Sequence, residues 1–173
     1  MGGEDSFNAF VVARTPALLR AAYLLTGDQQ LAEDLVQTAL VRAGMRWERI
    51  AASGDPEPYV RTVLYREHVS SWRRRRRLPE VLSAELPEPR KAPADRDFAE
   101  QVVTAQALRP ALLSLPPRLR AVVVLRYFED LTETEVATVL GCSVGTVRSQ
   151  TARGLMRLRA IVPDLIAHQE VAR

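Results

Sequence analysis

The side chains best placed to do chemistry in this sequence are arginines, and the chemistry they offer is the binding of phosphate. Arg73, Arg74, Arg75, Arg76 and Arg77 are consecutive, and Arg148, Arg153, Arg157 and Arg159 form a second, spaced series near the C-terminus. A guanidinium is a rigid fork of donors that matches phosphate oxygens, and an unbroken run of like charge repels itself unless an anion neutralises it. Two separated basic patches point to a polyanion contacted at two places. For the spaced series alone, a solvated helix face is an equally good reading until the motif around it is considered. Other chemistry lacks its residues. Cys142 is the single cysteine and excludes an internal disulfide, and with only His68 and His168 beside it a Cys/His zinc site has too few ligands. There is no nucleophile paired with a base, no phosphate-cradling glycine loop and no ligand cluster, so the expectation is a non-enzyme with no metal and no cofactor.

These arginines belong to a chain of 173 residues with a net charge of +3, in which Lys91 is the only lysine among 24 basic residues. The isoelectric point near 9.5 and the clustering of arginine say more about partners than the small net charge does. Hydrophobic residues make up 47% of the chain, as in ordinary globular proteins, and no apolar run approaches the roughly 18 residues of a membrane span. The start, Met1-Gly2-Gly3-Glu4-Asp5, is acidic and is not followed by a secretion core. A cytoplasmic protein without membrane insertion is the expectation.

The elements that must carry the arginines are helices, with no convincing strand pair. Ser6 is suited to cap a first helix bearing Phe7, Phe10 and Val11, and Thr15-Pro16 predicts a kink or restart. Leu18, Leu19, Ala22 and Leu25 continue its apolar face. Gly27 ends that helix, and Asp28 caps a second with apolar Leu31, Leu35, Val36, Leu40 and Met45 and an opposite face of Glu33, Asp34 and Gln37. Residues 51–58 read as a loop; Asp55 then caps a helix through Val60, Val63, Leu64 and Trp72 that ends in the arginine run. From Leu78, four prolines (Pro79, Pro87, Pro89, Pro93) and scattered charge make a linker that cannot build a core. A helix from about Asp97, the breaker Leu115-Pro116-Pro117, an apolar helix from Ala121 to Phe128 and two closing helices follow, with a stop near Pro163. The fold class is therefore all-α: two small helical domains, 1–78 and 97–165, joined by a Pro-rich flexible linker, 79–96, with a tail, 166–173.

The most specific segment is Thr132 to Arg159. Thr132 and Glu135 form an S/T-x-x-E capping box. Ala137 is small enough for two helices to cross, Gly141 can take the positive φ that ends the first, and Ser143 can cap the second. Val147, backed by Val136, Leu140 and Val144, fills the angle between them. This is a helix-turn-helix, whose second helix enters a major groove. With Val144, Val147, Thr151, Leu155 and Leu158 turned inward, Ser143, Thr146, Arg148, Ser149, Gln150 and Arg153 form the DNA face. Arg148 and Gln150 suit base edges; Thr146, Ser149 and Arg153 suit phosphates. Cys142, in the turn, reads as a small packed residue.

In the first half, Asp34 and Gln37, a Gly/Pro loop, and Tyr59, Tyr65 and Trp72 ahead of the arginines form a looser constellation. Aromatics can receive unstacked bases and arginines can hold a strand's backbone; Tyr59 and Trp72 are equally suited to a core. At this point the sequence resembles the extracytoplasmic-function sigma factors, especially the actinobacterial SigE-like branch of the sigma-70 family. The likeness rests on residues 32–40, residues 58–61 through Trp72-Arg73-Arg74-Arg75, Leu115-Pro116-Pro117-Arg118, Leu125-Arg126-Tyr127-Phe128 and residues 132–158. It implies a factor that binds core RNA polymerase and opens promoter DNA. Asp34 and Gln37 would dock on the clamp helices of the largest subunit. Tyr59, Arg61, Tyr65, Arg66, Arg73, Arg74 and Arg75 would handle the minus 10 element and the melted strand. The second domain would read the minus 35 duplex near the polymerase flap. Many relatives are held by an anti-sigma protein, a partner the resemblance leaves open. Arg66 stands where the family often has asparagine, and Gln150 where many members have arginine. Two other readings remain at this point: a self-sufficient dimeric repressor or activator using the same helix-turn-helix, and an all-helical adaptor whose arginines only keep it soluble.

Overall fold

The computed structural model describes residues 3–77 and 108–161, and every described element is an α-helix. The linker 79–96, the expected helix start near Asp97 and the tail 166–173 lie outside the described residues. The first unit holds α1 (Gly3–Thr26), α2 (Gln29–Gly44), α3 (Trp47–Ala52) and α4 (Glu57–Arg77). The second holds α5, described over 108–114, then α6 (Pro117–Tyr127), α7 (Glu133–Leu140) and α8 (Val144–Ile161).

The α1–α2 hairpin turns on Gly27, whose φ of 72° is left-handed, and Asp28, whose carboxylate accepts from the Leu31 amide at 2.9 Å. That cap satisfies a helix donor that would otherwise be orphaned. The expected break at Thr15-Pro16 is absent: α1 runs through Pro16. Thr15 Oγ1 donates to the Val11 carbonyl at 2.6 Å instead of capping a new helix, and Val12, whose carbonyl loses its donor to the proline, lies on the exposed side of the helix. Ser6 is not a cap either; its hydroxyl accepts from Trp47 Nε1 at 2.7 Å. By length and composition α1 could cross a membrane, but its Leu18, Ala21, Ala22 and Leu25 are buried in the protein core.

On α2 the buried stripe is Ala32, Leu35, Val36, Ala39 and Ala43. Its alanines let the helix approach closely, which leaves Leu31 and Met45, expected to face inward, exposed. Helix α3 was not legible. Its six residues are too few to show a period, and it is set by Trp47, packed on the Phe7 and Phe10 rings at centroid distances of 5.0 and 5.1 Å. Asp55 receives the Glu57 amide at 3.0 Å and opens α4, as the spacing predicts.

Helix α6 is apolar on nearly every side, as a helix buried all round must be. Leu119 and Val123 pack with Ala111, Leu112, Leu115 and Leu158, while Ala121, Val122, Val124 and Leu125 join a core shared with Leu18, Leu25, Leu64 and Tyr65 of the first unit. Two helical units are present, yet they share one apolar core. Arg120, on the same helix, is buried. Its guanidinium donates to the carbonyls of Leu112, Leu113 and Leu115 at 2.9, 2.7 and 3.0 Å, and to that of Leu25 in the first unit. The cause is in the sequence. The residues four beyond Leu112 and Leu113 are Pro116 and Pro117, which have no N–H to give; the Leu112 carbonyl takes the Leu115 amide at 3.1 Å instead, and Arg120 adds a donor there and supplies one to Leu113.

Candidate nucleic-acid interface

The turn between α7 and α8 is built as its residue types require. Thr132 Oγ1 accepts from the Glu135 amide at 3.3 Å and Glu135 accepts from the Thr132 amide at 2.7 Å, closing the capping box. The Thr132 hydroxyl, which also donates to Glu135 Oε2 at 2.7 Å, and then the Thr132 amide hold the Glu135 carboxyl below its ordinary pKa. Gly141 ends α7 at φ 65°, in the left-handed region, with the Cys142 amide reaching back to the Ala137 carbonyl at 3.0 Å. Ser143 Oγ accepts from the Thr146 amide at 3.1 Å and so caps α8. Val147 is fully buried in the angle, with Val136, Ala137 and Val139 around it. Farther along α8, Gly154 is buried; a Cβ there would lie 2.8 Å from Val123 Cγ2, so glycine is what lets α8 close on α6. Leu155, expected to face inward, is only half-buried, and the buried Gly154 adds nothing to an apolar pattern by which it could be recognised.

The outer face holds Ser143, Arg148, Ser149 and Arg153, all exposed, with Thr146 half-buried beside the cap. Arg148 Nε lies 2.7 Å from Glu133 Oε2, a pair open to solvent. Gln150 departs from this face: it lines a cavity of about 460 Å³ together with Arg66, Arg73, Arg118 and Cys142. In this structure it is therefore turned toward α4 rather than out with Arg148. Cys142 packs against the core, as expected of a small turn residue.

In the first unit the strand-handling set divides. Arg73 and Arg74 are exposed and Tyr59 is half-buried against the core; Arg74 is paired with Glu67. Arg75 lies in α4, its side chain outside the described residues. Arg61, Tyr65 and Arg66, expected to face a strand, instead face the second unit. Arg61 Nε donates to Glu129 Oε2 at 3.0 Å and Arg61 also pairs with Glu57 at 2.9 Å. Arg66 donates to the Val139 and Thr138 carbonyls, at 2.8 and 3.0 Å, at the C-terminal end of α7. Tyr65 is 1% exposed, and its hydroxyl has no hydrogen-bond partner among the described residues. Burial, then the nearby Glu129 carboxylate, push the Tyr65 phenol well above its ordinary pKa. The reason these three face inward is tertiary: α4 is covered by α6 and α7. Asp34 and Gln37 stand exposed on α2, with Asp34 receiving the Gln30 amide at 3.2 Å.

A capped helix-turn-helix with a basic outer face, on an all-helical chain of two units, defines a DNA-reading transcription protein. The Sigma-70 region 2 family matches residues 10–78 and the Sigma-70, region 4 family matches residues 105–158. The chain is 40% identical to the RNA polymerase sigma-E factor of Streptomyces coelicolor over 173 residues, covering 100% of this chain and 93% of that protein. It is 34% identical to the ECF RNA polymerase sigma factor SigE of Mycolicibacterium smegmatis, over 89% of this chain and 60% of that protein. Its fold matches that of the Bartonella quintana sigma factor RpoE, solved with the anti-sigma factor NepR, with a TM-score of 0.73 at 24% identity, covering 92% of this chain and 98% of that one. The chain belongs to the extracytoplasmic-function sigma factors of the sigma-70 family. It is an initiation factor and not an enzyme: it binds core RNA polymerase, directs it to specific promoters and promotes opening of the DNA.

Proposed function

We propose that the two units divide this task, with residues 1–78 docking on core polymerase and handling the minus 10 element, 79–96 linking, and 97–165 reading the minus 35 duplex in the cytoplasm. The observation that carries the assignment is the capped turn around Val147, which fixes α8 so that Ser143, Arg148, Ser149 and Arg153 project together from one side. Arg148 is the base reader of this set, and Ser143, Thr146, Ser149 and Arg153 hold phosphates. Gln150 contributes to promoter choice once it leaves the cavity it shares with Arg66. On α2, exposed Leu31, Val41 and Met45 flank Asp34 and Gln37, an apolar stripe with a polar pair that suits a partner helix such as a polymerase clamp helix. Tyr59, Arg61, Tyr65, Arg66 and Arg73 to Arg75 handle the melted strand, where binding energy offsets the roughly few kcal/mol needed to extrude each base.

Promoter-dependent transcription by core polymerase supplied with the purified chain tests the whole reading. Within it, Arg148→Ala is expected to weaken the cognate minus 35 duplex more than scrambled DNA; equal loss on both assigns Arg148 to a phosphate. Asp34→Ala is expected to lower affinity for core polymerase, and undiminished holoenzyme formation removes Asp34 from the docking face.

A further inference from the structure

The cavity of about 460 Å³ beside the helix-turn-helix differs in charge from its surroundings. Arg66 and Arg73 of α4, Arg118 of α6 and Gln150 of α8 reach it together, and no aspartate or glutamate lines it. Elsewhere around α4 the arginines are matched: Arg61 pairs with Glu57 and Glu129, Arg14 with Glu57, and Arg42 and Arg74 with Glu67. In the cavity Arg66 is fixed, its Nε and Nη2 donating to the Val139 and Thr138 carbonyls at 2.8 and 3.0 Å. Arg73 and Arg118 make no hydrogen bond or ion pair among the described residues. Three like charges facing one space, with no carboxylate between them, repel one another until an anion enters. The rest of the wall is uncharged. Val69, Leu140 and Cys142 give it an apolar part, and Ser70 adds a neutral polar group.

We propose that this cavity is a binding site for a small phosphorylated ligand of nucleotide size, its phosphates held by Arg66, Arg73 and Arg118 and its uncharged part set against Val69, Leu140 and Cys142. Charge selects the phosphates. Guanidinium forks match phosphate oxygens, and a diphosphate or triphosphate carries enough negative charge to offset three arginines. Volume selects the size. The cavity falls within the range of about 300–1,000 Å³ typical of sites that enclose a small molecule, more than a lone phosphate fills. Its mixture of an apolar wall with a few convergent polar groups is also that of a ligand pocket. Gln150, which both donates and accepts, suits the polar edge of a base or the hydroxyls of a sugar. A nucleic-acid strand suits the cavity less well, since strand tracks stack their bases on aromatic rings and no aromatic residue lines this space. The proposal does not rest on the promoter contacts assigned above, because it concerns the chain before DNA binds.

Isothermal titration calorimetry on the full-length chain tests this, in about 0.15 M salt so that exposed charges are screened. The probes are ATP and GTP, with pyrophosphate for the charged part alone. The tighter nucleotide is expected to bind about tenfold or more tightly than pyrophosphate. Arg118→Ala removes an exposed arginine that has no assigned part in binding polymerase or DNA, and Arg20→Ala makes the same charge change at an exposed site on α1. Arg118→Ala is expected to weaken the nucleotide about tenfold or more, with Arg20→Ala equal to the parent. Gln150→Glu, nearly the same in shape, sets a carboxylate against the phosphates and is expected to weaken binding as much. Circular dichroism melting shows that the variants fold, and the nucleotide is expected to raise the melting temperature of the parent but not that of Arg118→Ala. Failure of both nucleotides to bind, or equal loss in Arg118→Ala and Arg20→Ala, overturns the site. Pyrophosphate bound as tightly as the nucleotide overturns the assignment of a nucleotide-sized ligand. A labelled single-stranded DNA that binds where the nucleotides do not, and weakens in Arg118→Ala, gives the cavity to a strand and overturns the proposal.

Discussion

Replacing Arg120 with methionine should cost this small protein a large part of its stability. The side chains are similar in length, so the change removes charge and donors while keeping much of the apolar stem. Three of the carbonyls Arg120 serves, those of Leu112, Leu115 and Leu25, make buried bonds, and that of Leu113 is partly buried. Each buried acceptor left without a donor costs about 1–3 kcal/mol; the Leu112 carbonyl keeps the Leu115 amide at 3.1 Å, so the other two, Leu115 and Leu25, set an upper range of about 2–6 kcal/mol. Opposing this, the guanidinium no longer has to be stripped of water, a burden reflected in the lowering of its pKa by burial. Breaking a buried charged network by removing one partner usually costs about 3–5 kcal/mol, and we expect a loss in that range. Arg120→Lys should fall between, since an ammonium has three donors and no planar fork with which to reach four carbonyls. Urea denaturation followed by circular dichroism, with both variants and the parent, gives the numbers. A loss under about 1 kcal/mol for Arg120→Met would refute the reasoning, showing that water or neighbouring amides satisfy those carbonyls equally well.

Other consequences are open to measurement. Gly154→Ala should destabilise the protein by up to about 2 kcal/mol despite alanine's better helix propensity, because the new methyl meets the stiff Val123; adding Val123→Ala should recover part of the loss in a double-mutant cycle. Tyr65→Phe should stabilise the isolated chain by about 1 kcal/mol, as it removes a buried hydroxyl that lacks a partner, and a melting temperature below the parent's would count against that. The raised Tyr65 pKa gives a stability contribution that is present below the unfolded value of 10.0 and lost as pH climbs past it, so Tyr65→Phe should flatten the alkaline limb of the stability curve. For Glu135 the sign is opposite. Its depressed pKa gives a contribution present above the ordinary value of 4.5 and lost as pH falls through the lower folded value. Glu135→Gln should therefore remove part of the acid-side decline; an unchanged acid limb would show that the capping box does not contribute to it.

Much of this protein is written in local chemistry. The capping box at Thr132 and Glu135, the left-handed stop at Gly141, the Ser143 cap and the Val147 wedge are short-range consequences of residue type, and each could be placed before any coordinate was known. The same holds for the Asp28 and Asp55 caps, because a cap is decided within three residues of itself. Pro116 and Pro117 withhold two helix donors, but that Arg120 would turn inward to the carbonyls before them is a tertiary outcome. What the sequence did not determine is which surface each side chain would meet. Pro16 could break a helix or ride within one, and packing chose the second. Leu31 and Met45 share a period with Leu35 and are nevertheless outside, because small alanines drew α2 in along a neighbouring stripe. Arg61, Tyr65 and Arg66 carry the chemistry of strand binding, and Gln150 that of base reading. Only the shared core around α6, which closes one unit on the other, decides that in this state they face the protein itself. Local sequence sets caps and turns because they involve atoms a few residues apart; the choice between two apolar faces of a helix, or between a strand and a helix end as the partner of an arginine, is made by groups far away in the chain.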